Sequence, residues 1–392
     1  IGGATFAVLV SFFFSSKVAL VSAPKTLVKT PPISEIIGYQ HTPGPGELND
    51  SEFLGVSRST DGLVAVAGIV KTKTEDVDGL VTLLGTDMKP RWTRRVSSAS
   101  HDADRLESVQ FDAAKNVFAA GETYSITQPK SAEGWYGSVV SYDVNGKLRF
   151  QATTRRKIIH GSEVKRVIVA DERGGAWYCS STAENSKEQI FATHFDSSGR
   201  IISDIVISGI QAKVIAFSRH TQDEYCVIGN AKSTPGSAAN DWFMATFTND
   251  GRILWTSKID GPAKADDLIT SESLTTEAEY HHVAGLMTSS KSPNDVPQFV
   301  PTLATVNVHT GAIGRQISLT SDIPNPYVTL NDLSKKGEIQ LTVHESSVEG
   351  VPSIWPRPHL RGIRDDARTT QRSRMPRCRR RSRPRSRPQN SP

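Results

Sequence analysis

The sequence lacks the short motifs that most often reveal an enzyme. It contains no nucleophile elbow, no P-loop, no Cys-x-x-Cys pair and no His-Glu-x-x-His segment. The ten histidines are scattered, and the single adjacent pair, His281 and His282, would point to opposite faces of a strand. We therefore expect no catalytic residues, no metal ligands and no cofactor, and the chain is more consistent with a binding protein than with an enzyme.

Cysteine is also scarce. Of the three cysteines, Cys179 and Cys226 occupy equivalent strands of neighbouring repeats, and Cys378 lies near the C-terminus. A disulfide between the first two remains open for a secreted protein. Because cysteine behaves as a small apolar residue inside a protein, we expect two buried free thiols instead.

A convincing helical period is missing as well, and a repeat of about 50 to 60 residues takes its place. Five copies run between Asn49 and Ser321, each with an apolar strand ending in or near glycine, a second strand, an Asp/Asn/Gly turn and a third strand. A partial sixth copy begins near Tyr327. The glycines or their equivalents are Gly68, Gly121, Ser180, Gly229 and Gly285.

Units of this length suit a four-stranded sheet, which is one blade of a β-propeller, better than a solenoid repeat. We therefore predict an all-β fold: a β-propeller of four-stranded blades, with five recognisable repeats and an incomplete sixth, over residues 51–355. The strand 241–247, the turn 249–251 and the strand 253–255 resemble the bacterial-type β-propeller repeat of large secreted and surface proteins. PQQ-like propeller repeats, which share the Asp-Gly turn followed by tryptophan, are the near alternative.

The N-terminal residues 1–23 are predicted to be a signal peptide without its front. Phe6 to Phe14 form an apolar core, and Val21, Ser22 and Ala23 are small residues typical of a cleavage site. A signal anchor is the alternative, although Lys17 would be costly at the centre of a bilayer. Residues 24–50 hold five prolines and predict an extended linker.

The basic charge of the protein belongs to its C-terminal tail, 356–392, which we predict to be disordered. The tail contains 13 of the 46 basic residues, all arginine, against two aspartates; subtraction leaves 33 basic and 39 acidic residues, a net charge of −6, for the rest. A polyanion-binding arm is one reading of the tail. The abrupt arginine, proline and serine composition favours translation in a shifted frame. We expect no nucleic-acid binding by the propeller.

One acidic series is the best candidate for a site. Its members precede the first strand of their repeats and would share one rim of the disc: Glu52, Asp104, Glu163 and Asp267. Solvated loop carboxylates are the simpler interpretation, but a shared rim could hold a cation or a partner. By contrast, the turn residues Asp143, Asp196 and Asp250 are expected to accept hydrogen bonds from the following backbone amides.

These patterns predict a secreted or surface-exposed, non-catalytic binding or scaffold module whose ligand is a protein or a glycan. Two alternatives stay open: a propeller hydrolase or lyase that acts on extracellular glycans, and an intracellular scaffold. Contact with a membrane is expected only if the N-terminal segment is an uncleaved anchor.

Overall fold

The structure is a computed structural model that describes the following residues: 6–11, 19–20, 42–74, 76–98, 103–125, 133–161, 164–184, 187–207, 211–233, 239–261, 267–269, 275–277, 279–288, 299–318, 326–331 and 338–345. Every regular element in these ranges is a β-strand. Within them, no helix is long and apolar enough to cross a membrane.

The strands in chain order are β1 (Phe6–Ser11), β2 (Ala19–Leu20), β3 (Glu47–Arg58), β4 (Val64–Thr72), β5 (Val77–Leu84), β6 (Pro90–Val96), β7 (Asp104–Phe111), β8 (Val117–Ser125), β9 (Gly134–Tyr142), β10 (Leu148–Lys157), β11 (Val167–Ala170), β12 (Ala176–Glu184), β13 (Lys187–Phe195), β14 (Ile201–Ile207), β15 (Ala212–Arg219), β16 (Glu224–Lys232), β17 (Asn240–Thr248), β18 (Ile253–Ile259), β19 (Leu268–Ile269), β20 (Thr275–Glu277), β21 (Tyr280–Thr288), β22 (Phe299–Asn307), β23 (Ile313–Ser318), β24 (Pro326–Asn331) and β25 (Glu338–Glu345).

The described strands form six antiparallel sheets, and in the first four every strand pairs with its neighbour along the chain. The first four sheets are the four-stranded units β3–β6, β7–β10, β11–β14 and β15–β18; the fifth contains β19 to β23, with β20 added beside β21. Consecutive sheets share hydrophobic cores: one joins the first and second sheets, and further cores join the second to the third, the third to the fourth and the fourth to the fifth. The predicted all-β fold of four-stranded propeller blades is confirmed.

The sixth sheet draws strands from both ends of the chain. Its order is β2-β1-β25-β24, and β1 pairs antiparallel with β25, with Val8 opposite Leu341. The sequence predicts only the half-blade that β24 and β25 supply. β1 thus consists of residues 6–11 of the predicted apolar core of a signal peptide, and removal of residues 1–23 would leave this sheet with two strands.

The inner strands are buried on both faces because each blade packs between two others. In β8, Val117 to Thr123 are all buried, whereas the outermost strand β10 alternates between buried and exposed side chains. The two predicted thiols, Cys179 and Cys226, are free and buried in central strands, as expected. Burial raises the pKa of both thiols above the ordinary value, so they remain protonated.

The two faces of the propeller differ. One face, here called the turn face, carries short connections. In each of the first four blades, four or five residues join the first strand to the second and the third strand to the fourth. In the fifth blade the connection between the third and fourth strands is also short. On the opposite face, here called the loop face, the number of residues between consecutive strands varies more, from two between β12 and β13 to ten between β21 and β22. Long loops on a rigid scaffold are the usual place for binding residues.

The turn face is built as predicted. The Asp143 carboxylate accepts hydrogen bonds from the amides of Asn145 and Lys147, both at 2.9 Å. Asp196 repeats the arrangement with Ser198 and Arg200 at 2.9 and 3.0 Å. These aspartates therefore hold tight turns together.

Adjacent blades are joined at these turns by an aromatic residue packed on a glycine. The indole nitrogen of Trp92 donates to the carbonyl of Val144 at 3.0 Å, and the Trp92 ring covers Gly146 of the next blade. Trp255 makes the same contact with Val308, at 2.7 Å, in the fifth blade. The third blade lacks the aromatic residue, and Ile205 packs against the next turn glycine in its place.

Candidate functional site

The strongest candidate site lies on the loop face between the second and third blades. It combines a buried guanidinium, two carboxylates and a group of aromatic rings. β7, β8 and β9 supply residues from the second blade, and the connection 158–166 supplies the rest as the chain passes into the third blade.

The centre of the site is Arg166, which is 1% exposed. Its guanidinium contacts Glu122 at 2.5 Å and Glu107 at 3.2 Å through different nitrogen atoms. It also donates to the carbonyls of Val164 and Gly161, at 2.7 and 2.9 Å. Because a guanidinium is a planar fork with fixed donors, it can bridge two carboxylates and order the connecting loop at the same time.

An aromatic layer covers the network. The ring of His160 stacks on Trp135, with centroids 4.0 Å apart and an interplanar angle of 10°. Tyr124 meets Trp135 edge-on at 5.3 Å, and its hydroxyl donates to Glu133 at 2.8 Å. His160 also contacts the Glu122 carboxylate at 3.1 Å and leaves about half of its side chain exposed (51%). The layer is therefore open to solvent on one side and tied to the buried charges on the other.

The charged groups of the network shift one another's pKa values. Burial raises the pKa of Glu122; the Arg166 guanidinium acts against this, and the Glu107 carboxylate adds to it. Burial acts to lower the pKa of Arg166, but Glu107 and Glu122 outweigh it and hold the pKa above its ordinary value. Arg105 also pairs with Glu107, at 2.8 Å, so two guanidinium groups balance the two carboxylates.

The four residues of the predicted acidic rim have different surroundings. Asp104 is the first residue of β7 and accepts a hydrogen bond from the amide of Ser98, while burial raises its pKa. Glu52 lies within β3, opposite Ile69. Glu163 lies outside the described residues, so its role stays a prediction.

Asp267 is the rim residue that gains acidic neighbours. One oxygen each from Asp241, Asp260 and Asp267 lies within 4.8 Å of the others, the only such group of three potential metal ligands in the described ranges. Burial raises the pKa of Asp267 to about 6, although the amides of Thr288 and Gly261 donate to it at 2.8 and 2.5 Å.

These bonds make the acidic group a structural one. The oxygens of Asp267 order the backbone of the loop, and the Asp241 carboxylate receives the Ser233 hydroxyl at 2.5 Å and the Lys258 ammonium at 3.5 Å. The protein already engages these oxygens. The group therefore offers fewer free oxygen ligands than the six to eight that calcium requires.

The sequence does not predict the site around Arg166. Glu107, Glu122 and Arg166 come from three separate segments and match no motif. One signal was available: Glu122 directly follows Gly121, in the position where the repeat brings a strand to the loop face. The sequence gives no sign that an arginine of the next repeat would reach it.

No protein-family model matches the chain, and no curated protein matches it in sequence. Solved structures with a similar fold include an α-L-arabinanase of Penicillium chrysogenum complexed with arabinobiose (7% identity, 75% of this chain, 93% of that chain, TM-score 0.43). An α-L-arabinofuranosidase of Fusarium graminearum, also with arabinobiose, is 9% identical over 77% of this chain and 95% of that chain, with a TM-score of 0.43.

The extracellular domains of Drosophila Semaphorin 1b are a further similar structure (9% identity, 66% of this chain, 52% of that chain, TM-score 0.40). Similarities at this level carry no argument about activity. The pairing and packing of the sheets define the fold.

Proposed function

We propose that the protein is a non-catalytic, secreted or surface-exposed binding module that recognises a glycan at the loop face between the second and third blades. The observation that carries the proposal is the stacked pair of Trp135 and His160 above the Glu122 carboxylate. Flat aromatic faces next to a few fixed polar groups are the usual composition of a small-molecule site. A sugar ring offers an apolar face for the rings and hydroxyl groups for the exposed side chains of His160 and Glu133.

The placement of the carboxylates favours binding over hydrolysis. A glycosidase needs two carboxyl groups that flank the scissile bond, with room for the substrate between them. Here Arg166 bridges Glu107 and Glu122 through its two terminal nitrogens, at 3.2 and 2.5 Å. The guanidinium thus stands where a substrate would have to lie.

Hydrolysis of extracellular glycans is the second candidate, and one observation favours it. The raised pKa of Glu122 is a property that a general acid needs. Glu122 is 2% exposed, however, so a substrate would reach it only after His160 moves away.

The test is binding and turnover on one panel of oligosaccharides. We expect the purified protein to bind a subset of the panel without releasing products. Replacing Trp135 by alanine should weaken binding by about 10- to 30-fold, as for a central aromatic contact. Tyr280→Ala is the matched control, because it removes an exposed aromatic side chain on the turn face.

Three results would contradict the proposal. Release of products that is lost in Glu122→Gln would establish the hydrolase instead. Equal binding by wild type and Trp135→Ala would place the glycan elsewhere. A folded protein that binds no member of the panel but captures a protein partner through Trp135 would establish the protein-binding alternative.

Localisation is part of the same proposal. A glycan-binding module with a signal peptide would meet its ligand outside the cell. Export of a tagged full-length chain supports this reading, and retention in the cytoplasm would favour the intracellular scaffold.

A further inference from the structure

The outermost strands of the first two blades form a strongly basic edge. β6 contains three arginines, β10 contains three arginines and a lysine, and neither strand contains an acidic residue. A further lysine stands just before each strand. These residues are here called the basic edge: Lys89, Arg91, Arg94, Arg95, Lys147, Arg149, Arg155, Arg156 and Lys157. Because residues 1–355 carry a net charge of −6, the edge concentrates positive charge on an acidic molecule.

The two strands contribute to one continuous surface. The Nε atom of Arg94 on β6 donates to the carbonyl of Gly146 at 2.8 Å, and Lys147 follows directly on the second blade. This contact joins the two halves of the basic edge at the turn face. From Lys147 to Lys157 the chain then extends about 30 Å, at about 3.3 Å per residue, toward the loop face. The basic edge is therefore long enough for an extended ligand.

Much of this charge faces solvent. Carboxylates of the protein pair with two of the guanidinium groups: Asp78 with Arg95 and Asp204 with Arg156, both at 3.0 Å. The exposed residues of the basic edge include Lys89, Arg91, Lys147 and Arg155. An anionic ligand can meet these four without displacing a packed side chain.

Protection of the sheet edge does not explain where the charge lies. Charged residues on an edge strand commonly prevent pairing between molecules, and each of the first five blades ends in such a strand. Yet β14 has no basic residue, and β18 and β23 have one each. These three strands expose apolar residues instead: Ile202, Ile253, Leu254 and Ile313. Edge protection would act on all five blades, so its confinement to two of them needs another cause.

The uncharged residues of the two strands indicate which polyanion fits. Trp92 and Phe150, their aromatic residues, are only 8% and 6% exposed. Proteins that bind single-stranded nucleic acid stack bases on exposed aromatic rings, and these strands offer none. Guanidinium groups instead match the paired oxygens of carboxylate and sulfate groups. The basic edge therefore suits a polyanion that carries such groups and no bases.

We propose that the basic edge binds an acidic polysaccharide, a chain of sugars with carboxylate or sulfate groups, along the outside of the first two blades. Only the loop-face end of β10 comes near the glycan site, where the amide of Ile158 donates to the carbonyl of Trp135 at 2.9 Å. Arg91 and Lys147 lie at the turn-face end. The proposal therefore does not rest on the glycan site, and either can fail without the other.

The experiment compares binding of the full chain to dextran sulfate and to dextran, which share a backbone and differ in charge, at several salt concentrations. We expect only dextran sulfate to bind, with an affinity that falls as the salt concentration rises. The edge variant Arg91→Gln, Lys147→Gln, Arg155→Gln should bind about tenfold more weakly. Its slope of log affinity against log salt should be smaller by about 2 to 3, because three fewer charges release counterions.

A matched control removes the same charge from exposed positions of the third, fourth and fifth blades: Arg173→Gln, Arg252→Gln, Arg315→Gln. It should bind dextran sulfate like the wild type. Both variants keep the arginine-rich tail 356–392, so any binding by the tail is common to them.

Four results would overturn the proposal. They are wild-type affinity in the edge variant, an equal loss in both variants, and no binding of dextran sulfate by the folded wild type. The fourth is a DNA oligonucleotide that binds more tightly than dextran sulfate and is lost in the edge variant, which would make the edge a nucleic-acid surface.

Discussion

The contact between Trp92 and Gly146 gives a prediction with two separable parts. Trp92 is 8% exposed and lies on the turn of the next blade, and Gly146 has a φ of 78°. A Cβ atom added at Gly146 would lie 2.7 Å from Cγ of the Trp92 ring. Gly146→Ala should therefore destabilise the fold through backbone strain and through a clash with the indole.

The magnitudes follow from these two causes. A left-handed backbone costs a non-glycine residue about 1 to 2 kcal/mol, and forcing an extra methyl group into a packed contact adds about 1 to 3 kcal/mol. Trp92→Ala alone should cost about 3 to 5 kcal/mol, because it leaves a cavity between two blades and removes the hydrogen bond to Val144. In the double variant the clash is gone while the strain remains.

The assay is urea unfolding of the wild type, the two single variants and the double variant, which form a double-mutant cycle. We expect the double variant to be more stable than the sum of the single effects predicts, by the clash term of about 1 to 3 kcal/mol. Gly46→Ala is the control for strain alone, since Gly46 has a φ of 85° and no atom within 4 Å of an added Cβ. Additive losses at Trp92 and Gly146 would refute the contact between the blades.

Three further predictions follow from the charges and the chain ends. Arg166→Met should lower the free energy of unfolding at pH 7 by about 3 to 5 kcal/mol, because it leaves the buried Glu122 carboxylate without the guanidinium that faces it, and Arg166→Lys should not restore the fork; urea unfolding of both variants checks this, and wild-type stability in either would contradict it. Asp267 has a pKa of about 6 in the fold against 3.8 in the unfolded chain, so its protonated carboxyl group stabilises the fold fully below pH 3.8. Up to about 3 kcal/mol of the free energy of unfolding is lost as the pH rises through 6. Urea unfolding of Asp267→Asn at several pH values should lack this loss, and the same pH dependence as in the wild type would contradict the assignment to Asp267. Intact mass of exported protein should show cleavage after Ala23; a mass that retains residues 1–23 would contradict the signal-peptide prediction.

The sequence alone was sufficient to predict an all-β fold built from four-stranded propeller blades. Turn residues such as Asp143 and Gly146 act through their own backbone, and strand alternation depends only on near neighbours. The repeat then required several sheets that cover one another, because a single four-stranded blade cannot bury both of its faces. The repeat likewise marks Trp92 and Trp255 as recurring aromatic residues. It does not show which residues of the next blade they contact.

Only the tertiary structure decided which side chains meet. Adjacent His281 and His282 face opposite ways along β21, whereas His281 meets His220 of another blade, about 60 residues earlier in the chain. The acidic rim was predicted from equivalent positions, yet Asp267 gathers with Asp241 and Asp260, which occupy other positions of the repeat.

Arg166 shows the same limit most clearly. It lies before β11 and reaches back to Glu122 on β8, so the network exists only after two blades have packed together. Local sequence determines strands and turns because their hydrogen bonds join near neighbours, while the contents of a cleft between blades depend on how their side chains pack.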